Sequence, residues 1–231
     1  SYSPSIYFKR LKFLIETKKI KFNKIFIFVD HSDVQDEGVF YKEDNNGNIV
    51  RKWLDENEIK QKNKNYKIKN YLKQNSFFFK IYDNLNSPSI SGKAKSCIME
   101  VSNKNYKNYI DNNRFGYGFN KDLINKDWVK EGKYKINYYL NKINELAKKN
   151  NFKIYIIYYP SALEVIENIN YRSSEHYKML KNFSESVNSE FIIIANNFFT
   201  NSIGKKNYLK NFIECDSHWN INGHKIVADA I

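Results

Sequence analysis

The stretch Asn23–Asp33, NKIFIFVDHSD, decides the fold. Five apolar residues, Ile25 to Val29, run without interruption and then give way to Asp30, His31, Ser32 and Asp33. A strand with one face in water alternates apolar and polar residues. An unbroken apolar run of this length predicts a strand covered on both faces, as in a parallel sheet. The polar residues that follow fall at its carboxyl end, where open α/β sheets place their ligands.

Two later runs repeat the pattern. NFKIYIIYYP (151–160) is a second buried strand, closed by Pro160, which has no N–H for a ladder. EFIIIAN (190–196) is a third. Helices are expected between them. In IYFKRLKFLIETKK, Ile6, Leu11, Leu14 and Ile15 share a helical face, and Pro4 suits the first turn. Ile136, Leu140, Ile143, Leu146 and Ala147 recur at helical spacing over 130–149. Ser173–Val187 opens on a capping sequence, and NGHKIVADAI (222–231) begins a last helix. Residues 42–65 read as polar loop with a short hairpin strand in GNIVRKW, and Tyr66–Leu85 as a helix. Residues 87–127, rich in turn formers, read as an excursion over the carboxyl edge. The expectation is one α/β domain over 1–231, three-layer α/β/α with a mainly parallel, flavodoxin-like sheet and an insertion at about 42–127.

Composition narrows the function classes. The chain has 231 residues, 42% hydrophobic and 16% aromatic, enough for a packed core. No apolar run is long enough to predict a transmembrane segment. The formal charge is +13, yet the lysines are scattered and no nucleic-acid motif accompanies them, so no nucleic-acid partner is expected. Cys97 and Cys215 form neither a disulfide framework nor a zinc pattern. The chain opens at Ser1 without an initiator Met and stops inside a helix, which reads as a fragment.

The chemistry concentrates in DSHWNINGHKIVADAI (216–231). A histidine that takes a proton from a hydroxyl needs one free ring nitrogen and a carboxylate holding the other as N–H. Asp216, two residues before His218 and ahead of a helix, can supply that carboxylate across a tight turn. Asn220 and Gly223 suit the turn.

This string resembles the final block of the SGNH/GDSL hydrolase superfamily, which reads Asp-x-His, an aromatic, Asn, then Gly-His and an apolar helix. The resemblance implies that His218 is the catalytic base, oriented by Asp216, with Trp219, Asn220, Gly223 and His224 as neighbours. NKIFIFVDHSD is similar to the strand that carries the family's Gly-x-Asn-Asp block. There Asp33 agrees, and Ser32 stands where the family has an oxyanion-stabilising Asn; a hydroxyl can donate one such hydrogen bond. FKIYIIYYPSALEV is similar to the strand preceding the final block.

No Gly-Asp-Ser nucleophile loop is present. The resemblance places the nucleophilic serine, and the first strand, upstream of Ser1; Ser1 or Ser3 is the alternative, and a degenerate site the third. Ser3, Ser32, Asp33 and Asn220 are the candidate oxyanion or substrate-binding residues. The implied function is a serine esterase or deacetylase acting on an acyl ester, including one on a glycan. The alternatives are an O-acyltransferase modifying a cell-surface polysaccharide and a non-catalytic binding domain. No cofactor or metal is implied, and a bacterial protein, periplasmic or cytoplasmic, is the expected setting. Asp33, Asp36 and Glu37 are weighed as oxygen ligands for a metal against helix capping or solvation, and the latter is preferred. His31 is expected near the cleft or in a polar loop, His176 on the surface, and His224 against the Trp219 turn.

Overall fold

The computed structural model describes residues 3–52, 116–204, 207–213 and 218–231. The expected helix at Tyr66–Leu85, both cysteines, Ser1 and Asp216 lie outside the described residues.

Helix α1 (Pro4–Glu16) has Pro4 in its first turn, where a missing N–H costs nothing. Its N-cap, Ser3, makes no side-chain cap bond. Glu37 supplies the acceptor instead: its Oε1 takes the Ser5 N–H at 2.8 Å and the Ser3 hydroxyl at 2.6 Å. A carboxylate there also complements the helix dipole. Strand β1 (Lys24–Phe28) leads into helix α2 (His31–Gln35) and a π-helical turn, Asp36–Phe40. A hairpin follows, β2 (Tyr41–Glu43) and β3 (Ile49–Arg51), turned by Asp44, whose carboxylate accepts the N–H groups of Asn46 and Asn48, and by Gly47 at φ 76°.

Beyond the short helix α3 (Lys121–Ile124), helix α4 (Asp127–Asn150) buries Val129, Ile136, Leu140, Ile143 and Leu146 along one stripe and ends at Asn151 in the left-handed conformation. Then come β4 (Lys153–Tyr158), α5 (Ala162–Ile166), α6 (Glu175–Val187), β5 (Glu190–Ile193), α7 (Ala195–Ser202) and α8 (Ile221–Ala230).

The sheet is parallel, in the order β1-β4-β5, with Ile25 opposite Ile154 and Ile156 opposite Phe191. Apolar side chains pack on both of its faces. Ile27, Ile154, Ile156 and Tyr158 join Leu11, Ile136, Leu140, Leu180 and Phe183 in one cluster. Phe26, Phe28, Ile157 and Ile192 join Leu163, Phe198, Phe212 and Val227 in the other. The molecule is thus mixed α/β with a three-stranded parallel sheet and helices, as the unbroken apolar runs predict.

Two glycines set the position of α4. A Cβ on Gly38 would sit 2.0 Å from the Trp128 carbonyl oxygen, and one on Gly132 would sit 2.0 Å from that of Val34. Backbone meets backbone at both points. The carbonyls loosened by the π turn are recovered by lysines: Lys52 donates to Gly38 O at 2.6 Å, and Lys135 to Glu37 O and Tyr41 O at 3.1 and 3.0 Å.

Candidate functional site

The carboxyl end of β1 is organised by Asp30. Its carboxylate caps α2 by accepting the Ser32 N–H at 2.6 Å. Its own N–H donates to Asp33 Oδ2 at 2.9 Å, which completes a capping box. The other oxygen, Oδ2, accepts the Tyr159 hydroxyl at 3.0 Å, so the ends of β1 and β4 are tied together. Burial and the coulombic press of Asp30, Asp36 and Glu37 hold the Asp33 carboxyl well above the usual carboxylate range, against the Asp30 N–H. Burial, and after it the carboxylates of Asp30 and Asp33, raise the Tyr159 hydroxyl as well, which keeps it a neutral donor.

Tyr159 is also the seat of the final block. The Trp219 ring meets it edge-on with centroids 4.8 Å apart, and lies 6.2 Å from Phe28 and 5.8 Å from Phe198. Trp219 therefore anchors its turn at the carboxyl ends of β1 and β4. His218, the preceding residue, is exposed, and its carbonyl accepts the Ile213 N–H at 3.0 Å. His224 packs edge-on to Trp219 at 5.6 Å, as the sequence suggests.

Asn220 is committed to structure. Its Oδ1 caps α8 by accepting the N–H groups of Asn222 and Gly223 at 2.9 and 3.1 Å, and its Nδ2 donates to the carbonyls of Leu209 and Phe212. Gly223 leaves room for this turn, since a Cβ there would meet Asn211 O at 2.3 Å. Ser3 is buried, its hydroxyl directed to Glu37. Ser32 is buried in the first turn of α2, its N–H on Asp30. Ser32 and Asp33 thus share an edge with His218 through Asp30, Tyr159 and Trp219, whereas the Asn220 side chain faces the 208–212 turn. Of the acids in SDVQDE, Asp33 and Glu37 are engaged in capping bonds.

A second buried group lies behind the edge; the sequence reading weighed His31 near the cleft but did not bring His176 to it. His176, expected on the surface, is 1% exposed, because α6 lays its apolar stripe of residues 176, 179, 180 and 183 on the sheet. Its Nε2 faces the Val29 carbonyl at 2.9 Å. A carbonyl only accepts, so Nε2 carries the proton and Nδ1 accepts from the Tyr117 hydroxyl. Burial, and after it the nearby His31, hold His176 well below the usual imidazole value, in keeping with that neutral form.

The ring of His31, also 1% exposed, lies 4.1 Å from that of His176. His31 Nε2 is 3.3 Å from Glu164 Oε2, yet neither ring nitrogen makes a well-aligned hydrogen bond. The short distance is a charge contact at most, since the angle fails. Glu164 is itself held by the Tyr158 hydroxyl and the Ser161 N–H, both at 2.6 Å. The capping signature Ser161-x-x-Glu164 was the readable signal for this part of the site.

Comparison with known proteins returned no matching family model, no matching curated protein and no matching solved structure.

Proposed function

We propose that the chain belongs to a serine ester hydrolase of SGNH type, an esterase or deacetylase that acts on an acyl ester. The observation that carries this reading is the seat of Trp219 on Phe28 and Tyr159, which sets the exposed His218 at the carboxyl edge of a parallel sheet. That is where such sheets do chemistry.

In the proposed mechanism, His218 takes the proton of a serine hydroxyl as the oxygen attacks the ester carbonyl. Asp216 holds the other ring nitrogen. Backbone N–H groups at the edge, with the Ser32 hydroxyl, stabilise the oxyanion. His218 then returns the proton to the leaving alcohol. Water releases the acyl group in a hydrolase; a sugar hydroxyl accepts it in the O-acyltransferase alternative. The burial of Ser3 and its bond to Glu37 favour a nucleophile carried elsewhere.

A three-layer sheet with a further parallel strand beside β1 is part of the proposal. Support comes from the apolar clusters on both faces and from a groove of about 310 Å³ along β1, lined by Tyr7, Leu11, Ile25, Phe26, Ile27 and Phe28.

The test is hydrolysis of a p-nitrophenyl acyl ester by the full-length protein. His218→Ala should lower kcat/KM by about a thousandfold or more with the melting temperature unchanged. Equal turnover by the folded variant refutes the assignment.

A further inference from the structure

Among the described residues, large exposed apolar side chains gather near the His218 turn. Ile221 is 87% exposed, Ile213 46% and Leu209 38%. Single exposed apolar residues are ordinary on any surface. The turns that carry these three are joined by hydrogen bonds to backbone carbonyls: Asn220 Nδ2 donates to Leu209 O at 2.8 Å, the Ile213 N–H to His218 O at 3.0 Å, and Asn222 Nδ2 to Lys210 O at 3.1 Å. Rigid presentation lowers the entropy lost when such residues are buried by a partner.

The cations of this surface are placed beside the apolar groups. Lys210 follows Leu209, and Lys225 lies one helical turn after Ile221 on the same side of α8. Both lysines are exposed and border a cleft of about 380 Å³ with Asn197 and Asn222. Asp229, one turn further along α8, is the acid that lines the same cleft. The whole chain carries +13. Apolar side chains projecting among lysines match a bilayer interface, where acyl boundary and anionic headgroups lie within a few ångströms of each other.

We propose that the surface formed by Leu209, Lys210, Ile213, Ile221 and Lys225 docks on an anionic lipid bilayer. The isoleucines enter the headgroup boundary and the lysines meet the lipid phosphates. The His218 turn then faces the membrane, whether or not His218 is catalytic.

Co-sedimentation of the purified protein with vesicles tests this. Binding is expected to vesicles of phosphatidylcholine mixed with phosphatidylglycerol, to fall as salt is raised, and to be weak on phosphatidylcholine alone. The pair Ile213→Ser and Ile221→Ser should weaken binding by about tenfold or more, and so should the pair Lys210→Glu and Lys225→Glu. These residues are exposed, and unchanged melting temperatures establish that the variants fold. No binding by the wild-type chain, or equal binding by both folded pairs, overturns the proposal. Light scattering supplies a third refutation: if the isoleucine pair abolishes a dimer while vesicle binding is unaltered, the surface joins two copies of this chain.

Discussion

Asp33 is a carboxyl group held where water does not reach it, among three further acids. Its folded pKa is raised above the ordinary 3.8, so between that pH and its folded value the native state binds more protons than the unfolded chain. Stability must therefore fall as pH rises through that window. Asp33→Asn keeps an oxygen for the Asp30 N–H and removes the charge. The variant should melt at a higher temperature than wild type at pH 7, with the gap closing near pH 3. Thermal denaturation across pH checks this, and a lower melting temperature at pH 7 would show that the carboxylate is needed for packing. Little of this was legible in the sequence. Asp33 was singled out from its place after a strand, but its bond to Asp30 depends on the helical turn that begins at His31. The Tyr159–Asp30 bond joins residues 129 apart, for which a single sequence holds no local sign. His176 was misplaced although its spacing from Met179, Leu180 and Phe183 marks an apolar stripe; a polar residue type outweighed the periodicity.

Elements with a long period or an unbroken apolar run were legible: α1, α4, α6, β1, β4 and β5 stand within a few residues of where the pattern puts them. The helices that the pattern did not show, α2, α3, α5 and α7, are all of eight residues or fewer. With five residues, α5 is too short to show periodicity, and its start is marked only by Ser161 and Glu164. Helix α7 follows β5 almost directly, with Ile194 as an N-cap that makes no side-chain bond, so the apolar strand run conceals its beginning. The crossing of α4 over the 31–40 segment was not legible at all, since it rests on the absence of side chains at Gly38 and Gly132. Gly132→Ala should destabilise the protein by about 3 kcal/mol, as should Gly38→Ala, because a backbone carbonyl has no flexible end to yield. Chemical denaturation measures this. A loss below about 0.5 kcal/mol would mean that α4 can shift outward without penalty.

At the scale of the molecule, the parallel sheet was read correctly from three apolar runs, and the carboxyl edge with it. What a strand cannot announce is which neighbour it takes. Here β4 is central, flanked by β1 and β5. That register has a consequence for how the chain reaches its structure. β4 and β5 are separated by two helices, α5 and α6, whereas β1 must find β4 across on the order of 130 residues. Closing the longer loop costs more entropy and pays back later, so β4, α6 and β5 should assemble as an early kinetic unit, with β1 arriving afterwards. Pulse-labelling hydrogen exchange during refolding should find amides of 155–158 and 191–193 protected before those of 25–28. Simultaneous protection would mean that the distant strand takes part in nucleation. If β1 does dock last, Asp30 and Tyr159 meet only at the end, and the edge that carries His218 is completed in the final step of folding.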